Sequence, residues 1–494
     1  MGLRRCACLL LLLWSALGWA GGKSSPPANP HTNALGRLPV TTSSALARVR
    51  FEKAMQYSEE LRIPDALQAL RAAVKADPKF AQAYILISNF SHDPAEQQAA
   101  RARAKQLAPR VSRAEQLLIR WLAGAQEDNY VPAIAAMNDL LEKFPRDQRL
   151  AFLAGGWLVK QEQYKQGVVV LERAVALAPN YPAALNELGY AYAFSGDFEK
   201  GFAAMERYVA LQPDEPNPHD SYGEILRLAG KFDAALEQYQ MSIRIDPNFG
   251  SELGVADTYA LMGKEQEARD EYERAIVFAP GPSEKVEYEL QAAMTWIREN
   301  NRKQAERALR DVVKHAHAAG LARLEAEAHR VQAVYEPDYK AAVKHLQAAQ
   351  SALEDGRHEL SRSDRNEGQA RILRVQVMRA AEAQAGDDAS SALKQLETMA
   401  ETSRSRVVQL SYHAALGALL LAQQKYPEAI SHLEEDSDDP LSLRLLWRAY
   451  SSQGEATRAG TVATRLAGLN VPTVEQALVV PQFRAGLVGQ DGRP

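Results

Sequence analysis

The segment His358-Glu359-Leu360-Ser361-Arg362 begins like the metal-binding helix of a zinc protease. That chemistry needs two histidines four residues apart and a glutamate between them as base. Position 362 carries Arg, so the ligand set is one short and no zinc site is expected. His315 and His317 are two residues apart, which points them to different sides of a helix and predicts surface positions. Lys264 follows Gly263, but the earlier glycine of a phosphate-cradling loop is absent. Asn89-Phe90-Ser91 fits a glycosylation sequon by pattern only. Cys6 and Cys8 are the only cysteines, and no pair of carboxylates stands out. These readings predict no catalytic residue, no metal and no cofactor.

The elements that must position any site are helices. Apolar residues make up 46% and charged residues 24% of the chain, and helix formers dominate its composition. A ladder of prolines, Pro78, Pro109, Pro145, Pro179, Pro213, Pro247 and Pro280, runs at intervals of 31, 36, 34, 34, 34 and 33. Proline lacks the N–H and clashes with the preceding turn, so each one closes a helix. Between Pro182 and Pro213, Leu185, Leu188, Gly189 and Tyr192 recur at helical spacing. Gly196-Asp197 breaks that helix, and Phe198, Gly201, Phe202 and Met205 make the inner face of a second. The neighbouring units repeat the pattern, with a small residue (Gly155, Gly189, Gly223, Ala256) where two helices approach and an aromatic (Tyr164, Phe198, Phe232) after the turn.

In period and pattern the chain resembles the tetratricopeptide repeat (TPR) family over Ala45 to Pro280, as seven units. The resemblance implies an all-α fold: an α-α superhelix, a right-handed solenoid of antiparallel helical hairpins. Helical pairs continue past Pro280, as in Tyr339, Ala342, Leu346 and Ala349, and about eleven or twelve hairpins are expected in all. Leu38-Pro39-Val40-Thr41-Thr42-Ser43-Ser44, followed by Ala76-Asp77-Pro78-Lys79-Phe80, also resembles the start of exported bacterial repeat proteins.

Each hairpin buries one face, so stacked hairpins make a groove lined by first helices. Aligning the repeats places Phe152, Lys160, Asn186, Tyr190, Phe194, Asp220, Glu224, Arg227 and Asp257 on it. Tyr190 and Phe194 are expected to be exposed anchors for a peptide or helix of a partner. The acids Asp220, Glu224 and Asp257 are expected to suit a basic segment of that partner. Trp121, Trp157, Trp296 and Trp447 sit in first helices and are expected in the core.

The first residues have the order of a signal peptide: basic Arg4-Arg5, an apolar run from Leu9, and small residues up to Ala20. Cleavage after Ala20 and export to the periplasm or cell exterior are expected. Formal charge then moves from −4 to −6, mild enough to argue against nucleic acid as a partner. No later stretch is long and apolar enough to span a membrane. The expected organisation is a signal peptide (1–20), a flexible linker (21–40), regular repeats (41–280) and divergent hairpins (281–355). A polar loop (356–368), further divergent hairpins (369–485) and a disordered tail (486–494) complete it. The function expected is a non-enzymatic protein-protein interaction scaffold. The alternative is an enzyme or enzyme subunit with its site dispersed over the solenoid.

Overall fold

The structure is a computed structural model that describes residues 36–91, 93–279, 281–356 and 360–491, with side chains to residue 486. The signal peptide expected over 1–20, most of the linker, Pro280, and His358-Glu359 lie outside the described residues. The described chain is an all-α solenoid of stacked helical hairpins, as the sequence predicts. The first hairpins are α1 (Ala45–Glu59) with α2 (Ile63–Ala76), α3 (Ala81–Phe90) with α4 (Pro94–Leu107), and α5 (Arg113–Gln126) with α6 (Tyr130–Lys143). Next come α7 (Gln148–Lys160) with α8 (Tyr164–Leu177), α9 (Pro182–Phe194) with α10 (Phe198–Leu211), and α11 (Pro216–Leu228) with α12 (Phe232–Ile245). Then follow α13 (Glu252–Leu261) with α14 (Glu265–Val277), α15 (Pro282–Arg298) with α16 (Arg302–Ala318), and α17 (Ala322–Tyr335) with α18 (Tyr339–Asp355). The last are α19 (Arg362–Glu382) with α20 (Gly386–Thr402), α21 (Arg406–Ala422) with α22 (Tyr426–Glu435), and α23 (Pro440–Ser452) with α24 (Ala456–Ala467). One more helix, α25 (Val474–Asp491), has no hairpin partner. First helices therefore carry odd numbers and second helices even ones.

Two local devices set the hairpins. Pro78, Pro145, Pro179, Pro213 and Pro247 each stand two residues past the end of a second helix. Pro109 instead lies in a short 3-10 turn, Ala108–Arg110. Inside ten of the twelve hairpins the turn is three residues long, and its middle residue has a left-handed backbone. Glycine fills that position at Gly196, Gly230, Gly263 and Gly454, whereas Leu61, Asp128, Glu162, Asn300, Gln384 and Gln424 adopt it with a side chain. A side chain there is disfavoured by roughly 1 kcal/mol, which tertiary packing offsets. Close approach of the paired helices rests on missing side chains. A Cβ at Gly155 would stand 2.4 Å from Leu171, and one at Gly417 would stand 2.7 Å from Leu433.

The chain divides into two compact units. Among the described residues, those up to Ile225, with Gln240–Gly250, make the N-terminal unit; Leu226–Tyr239 and those from Ser251 on make the C-terminal unit. Within each unit the first helices of neighbouring hairpins pack on one another, as α7 does on α9 and α19 on α21.

Three sequence boundaries need correction. The linker expected over 21–40 ends earlier, because Leu38 and Val40 pack on the core of the N-terminal unit. The polar loop expected over 356–368 is already helix from Arg362, where the Ser361 hydroxyl accepts the Asp364 N–H as an N-cap. Its polar residues do not mark a loop; Ser363 and Glu367 are buried in α19 instead. The tail expected over 486–494 is helical to Asp491, as part of α25.

Candidate functional site

In the N-terminal unit the helix expected to carry the binding anchors is buried on every side. All residues of α9 from Ala183 to Ala193 are buried. Tyr190 is only 2% exposed, and its hydroxyl donates to Glu224 Oε2 at 2.8 Å. It stacks on Phe194, 6.1 Å between ring centres, and Phe194 leans on Tyr164 at 5.1 Å. Phe194 is half-buried. The expectation of an exposed Tyr190–Phe194 pair is therefore corrected: Tyr190 is core. The reason is tertiary: Glu224, on the first helix α11 of the next hairpin, meets the Tyr190 hydroxyl. Helix α1 packs against α9, and Glu52 and Glu59 of α1 hold Arg149 of α7 at 3.1 and 2.5 Å. The first hairpin thus packs on the fifth.

The other expected residues separate by environment. Asn186 is fully buried and its side-chain amide makes no hydrogen bond. Phe152 is half-buried against Tyr181, 5.2 Å away. Lys160 is exposed. Asp220 and Glu224 are buried. In the C-terminal unit, Arg227 and Asp257 are both buried and joined, Nη1 to Oδ2, at 2.8 Å. Asp257 also accepts the Tyr272 hydroxyl at 2.5 Å. The acids expected to attract a basic partner are thus enclosed, and Glu224 and Asp257 spend their charge on internal donors. A buried carboxylate must find such partners or lose its charge.

Glu187, next to Asn186, follows the second course. Burial pushes its carboxyl up to about 8, and its Oε2 has no hydrogen-bond partner. At neutral pH it is therefore mostly protonated. Of the tryptophans, Trp121 is fully buried and meets Trp157 edge-on at 6.2 Å. Trp296 lies under the Arg269 guanidinium at 3.8 Å and Trp447 against Phe483 at 5.2 Å. His315 and His317 are exposed, each beside a glutamate, as the spacing predicts.

What sequence reading missed is that segments of the chain itself lie on the first helices. In the N-terminal unit an extended strap precedes α1. The Leu38 N–H donates to Asp147 Oδ2 at 2.8 Å, the Thr41 N–H to Glu115 Oε1 at 2.8 Å, and the Thr42 hydroxyl to Asp77 Oδ2 at 2.5 Å. Asp147 and Glu115 are buried at the starts of α7 and α5, where the helix dipole favours a carboxylate, and Asp77, also buried, stands at the end of α2. The strap therefore crosses the hairpins in reverse order. A signal was present, because Ser112 and Glu115 form a capping box and Asp147 an N-cap, but nothing local told of a second customer for each carboxylate.

In the C-terminal unit the equivalent occupant is α25. It packs on the first helices α15 and α23. Val474 and Ala477 join the core formed by Leu290 of α15 and Val331 of α17, while Val479 and Val480 join that of Leu446 in α23. Its charged anchor is Glu475, which accepts from Arg330 Nη1 of α17 at 2.8 Å. The same guanidinium donates twice to Glu327, at 2.7 and 2.9 Å. Burial opposes ionisation of Glu475, but the Arg330 charge outweighs it and holds the carboxyl well below its usual range. Asn470, on the approach to α25, donates to the Leu228 carbonyl at 3.4 Å and accepts from Arg484 at 3.1 Å.

Among the described residues no group of three or more His, Cys, Asp or Glu side chains could hold a metal ion. Among them too, no helix is long and apolar enough to cross a membrane.

Residues 182–215, which are α9, α10 and the turn after them, match the tetratricopeptide repeat family. No curated protein matches the chain. Among solved structures it is similar to one described as an APC/C hetero-tetramer Cut9-Hcn1, at 17% identity over 84% of this chain and 78% of that one, with a TM-score of 0.41. It is similar to yeast Tom70, at 13% identity over 85% and 98% of the two chains, with a TM-score of 0.42. A thermophilic TPR protein of Thermus thermophilus is similar over 47% of this chain and 99% of its own, at 18% identity and a TM-score of 0.27. The family match over 182–215 and the stacked hairpins of this chain define a TPR-like, all-α repeat protein.

Proposed function

We propose that this chain is a non-enzymatic interaction scaffold that acts outside the cytoplasm and holds a peptide or helix of a partner protein on its first-helix faces. One observation carries the reading. First helices in both units already hold chain segments in the two forms a partner would offer, an extended strap and a helix. Stacked hairpins present long surfaces of this kind, and peptides bind them by laying side chains between helices. Within the N-terminal unit, Phe152, Phe194 and Lys160 are the residues of the expected groove still open, wholly or in part, to a partner. A basic partner segment is no longer part of the reading, since its intended acids are enclosed. Export rests on the basic, apolar, small-residue order of residues 1–20.

Cross-linked pull-down of the protein from a fractionated cell tests both halves. The scaffold reading expects a protein partner whose cross-links fall on odd-numbered helices, and export expects a recovered chain that begins at Gly21. Cross-links confined to even-numbered helices would overturn the first, and a full-length chain recovered from the cytoplasm would overturn the second.

A further inference from the structure

We propose that the first-helix face of the C-terminal unit is a receptor for an amphipathic helix of a partner protein, and that α25 is an intramolecular stand-in which this helix displaces. The partner helix carries a carboxylate in its first turn and an alanine and valine stripe behind it. This deepens the scaffold reading and rests on it.

Three observations lead there. First, α25 is not half of a hairpin. It touches both helices of the twelfth hairpin, which precedes it, but it also lies on α15 and α17 of the eighth and ninth hairpins, far away in sequence, as a bound ligand would. Second, its contacts divide as a ligand's do. Glu475 is the charged anchor, Val474, Ala477 and Val480 are the buried stripe, and Phe483 adds an aromatic edge against Trp447. Charge complementarity names the chemistry: the face offers the Nη1 of a buried arginine that Glu327 does not engage, and an acid in the occupant completes its bonds.

Third, the face tolerates the exchange. Arg330 keeps its two bonds to Glu327 on its own helix when Glu475 leaves, so no bare cation remains. By contrast α25 is a poor helix alone. Val474, Val479 and Val480 are β-branched, Pro481 interrupts the backbone hydrogen bonds, and Gly486 follows. Such a segment is helical because the face holds it. Its opening requires less than unfolding the hairpins beneath, which places it at the low-stability end of the unit.

Full-length protein and a fluorescent peptide of residues 471–491 test this by anisotropy. Wild-type chain, with α25 seated, should bind the peptide weakly. A chain carrying Glu475→Lys should release α25 and bind the same peptide at least tenfold more tightly, and a peptide carrying Glu475→Lys should lose that gain. Native-state hydrogen exchange of the wild-type chain supplies a second reading should the variant misfold: α25 amides should exchange at least a hundredfold faster than those of α15 and α23. Equal protection of α25 and α15 would overturn the proposal, because α25 would then be core. A folded Glu475→Lys chain that binds the peptide no better than wild type would overturn it too. Both results leave the scaffold reading standing if the pull-down still yields a partner on odd-numbered helices, and only the absence of such a partner removes that reading.

Discussion

The two units cover their first helices by different means. In the N-terminal unit the strap is held by main-chain N–H groups and threonine hydroxyls on three buried carboxylates at helix ends, two of which already cap helices. In the C-terminal unit α25 is held by side chains, with one arginine shared between two carboxylates above an apolar stripe. Main-chain bonds ask little of the occupant's sequence, whereas an ion pair inside an apolar surround asks for a particular residue at one place. The N-terminal cover is therefore built like a permanent seam, and the C-terminal one like a specific, exchangeable contact.

The largest effect should come from cutting the C-terminal anchor on the receptor side. Arg330→Ala leaves Glu327 and Glu475 buried without their cation and should cost roughly 3–5 kcal/mol. Thermal or denaturant unfolding measures it, and a loss below about 1 kcal/mol would mean that water reaches the pair and the contact is a surface one.

A smaller loss is expected at the seam. Glu115→Ala removes the capping box of α5 and both bonds to Thr41, at a cost of roughly 2 kcal/mol. Limited proteolysis should then cut near Leu38, which is protected in the wild-type chain. If stability falls but the strap stays protected, the seam depends on Asp147 and Asp77 rather than on the whole row.

The smallest effect is a matter of pH. Glu187 titrates near 8 when folded and near the ordinary carboxylate value when unfolded. Its folded value is raised, so its neutral form suits the fold below the unfolded value. Stability then declines as pH rises toward about 8, and the decline is complete above it. Glu187→Gln should therefore stabilise the N-terminal unit at pH 9 and bring no gain at pH 4. Melting curves across that range decide it, and a gain that does not change with pH would place the effect in packing instead.

Much of this architecture is written locally. The proline ladder marks where second helices end, because a missing N–H and a ring clash stop a helix whatever surrounds it. The small residues at Gly155 and Gly417 mark where helices approach, because no Cβ fits there. The turns were legible only where glycine fills the left-handed position, as at Gly196 and Gly230. Asn300, Gln384 and Gln424 take the same backbone without advertising it, which is why the later hairpins look divergent in sequence but not in structure. The loop expected before α19 failed for a related reason. Ser363 and Glu367 read as solvent-facing, yet Ser405 donates to Glu367 at 3.1 Å inside the packed hairpins.

Surface and interior were the part that sequence could not apportion. The repeat pattern correctly placed Tyr190, Glu224 and Asp257 on first helices, since helical period alone determines which residues share a face. Whether that face meets water depends on what else comes to lie on it. Helix α1 reaches α9 from more than a hundred residues away in sequence, and Glu475 reaches Arg330 across a separation of 145. Nothing periodic encodes such encounters, because each depends on which hairpins meet and on the few charges that match between them. The sequence by itself thus determined the helices, their pairing and their faces; only the tertiary structure decided which of those faces are already taken.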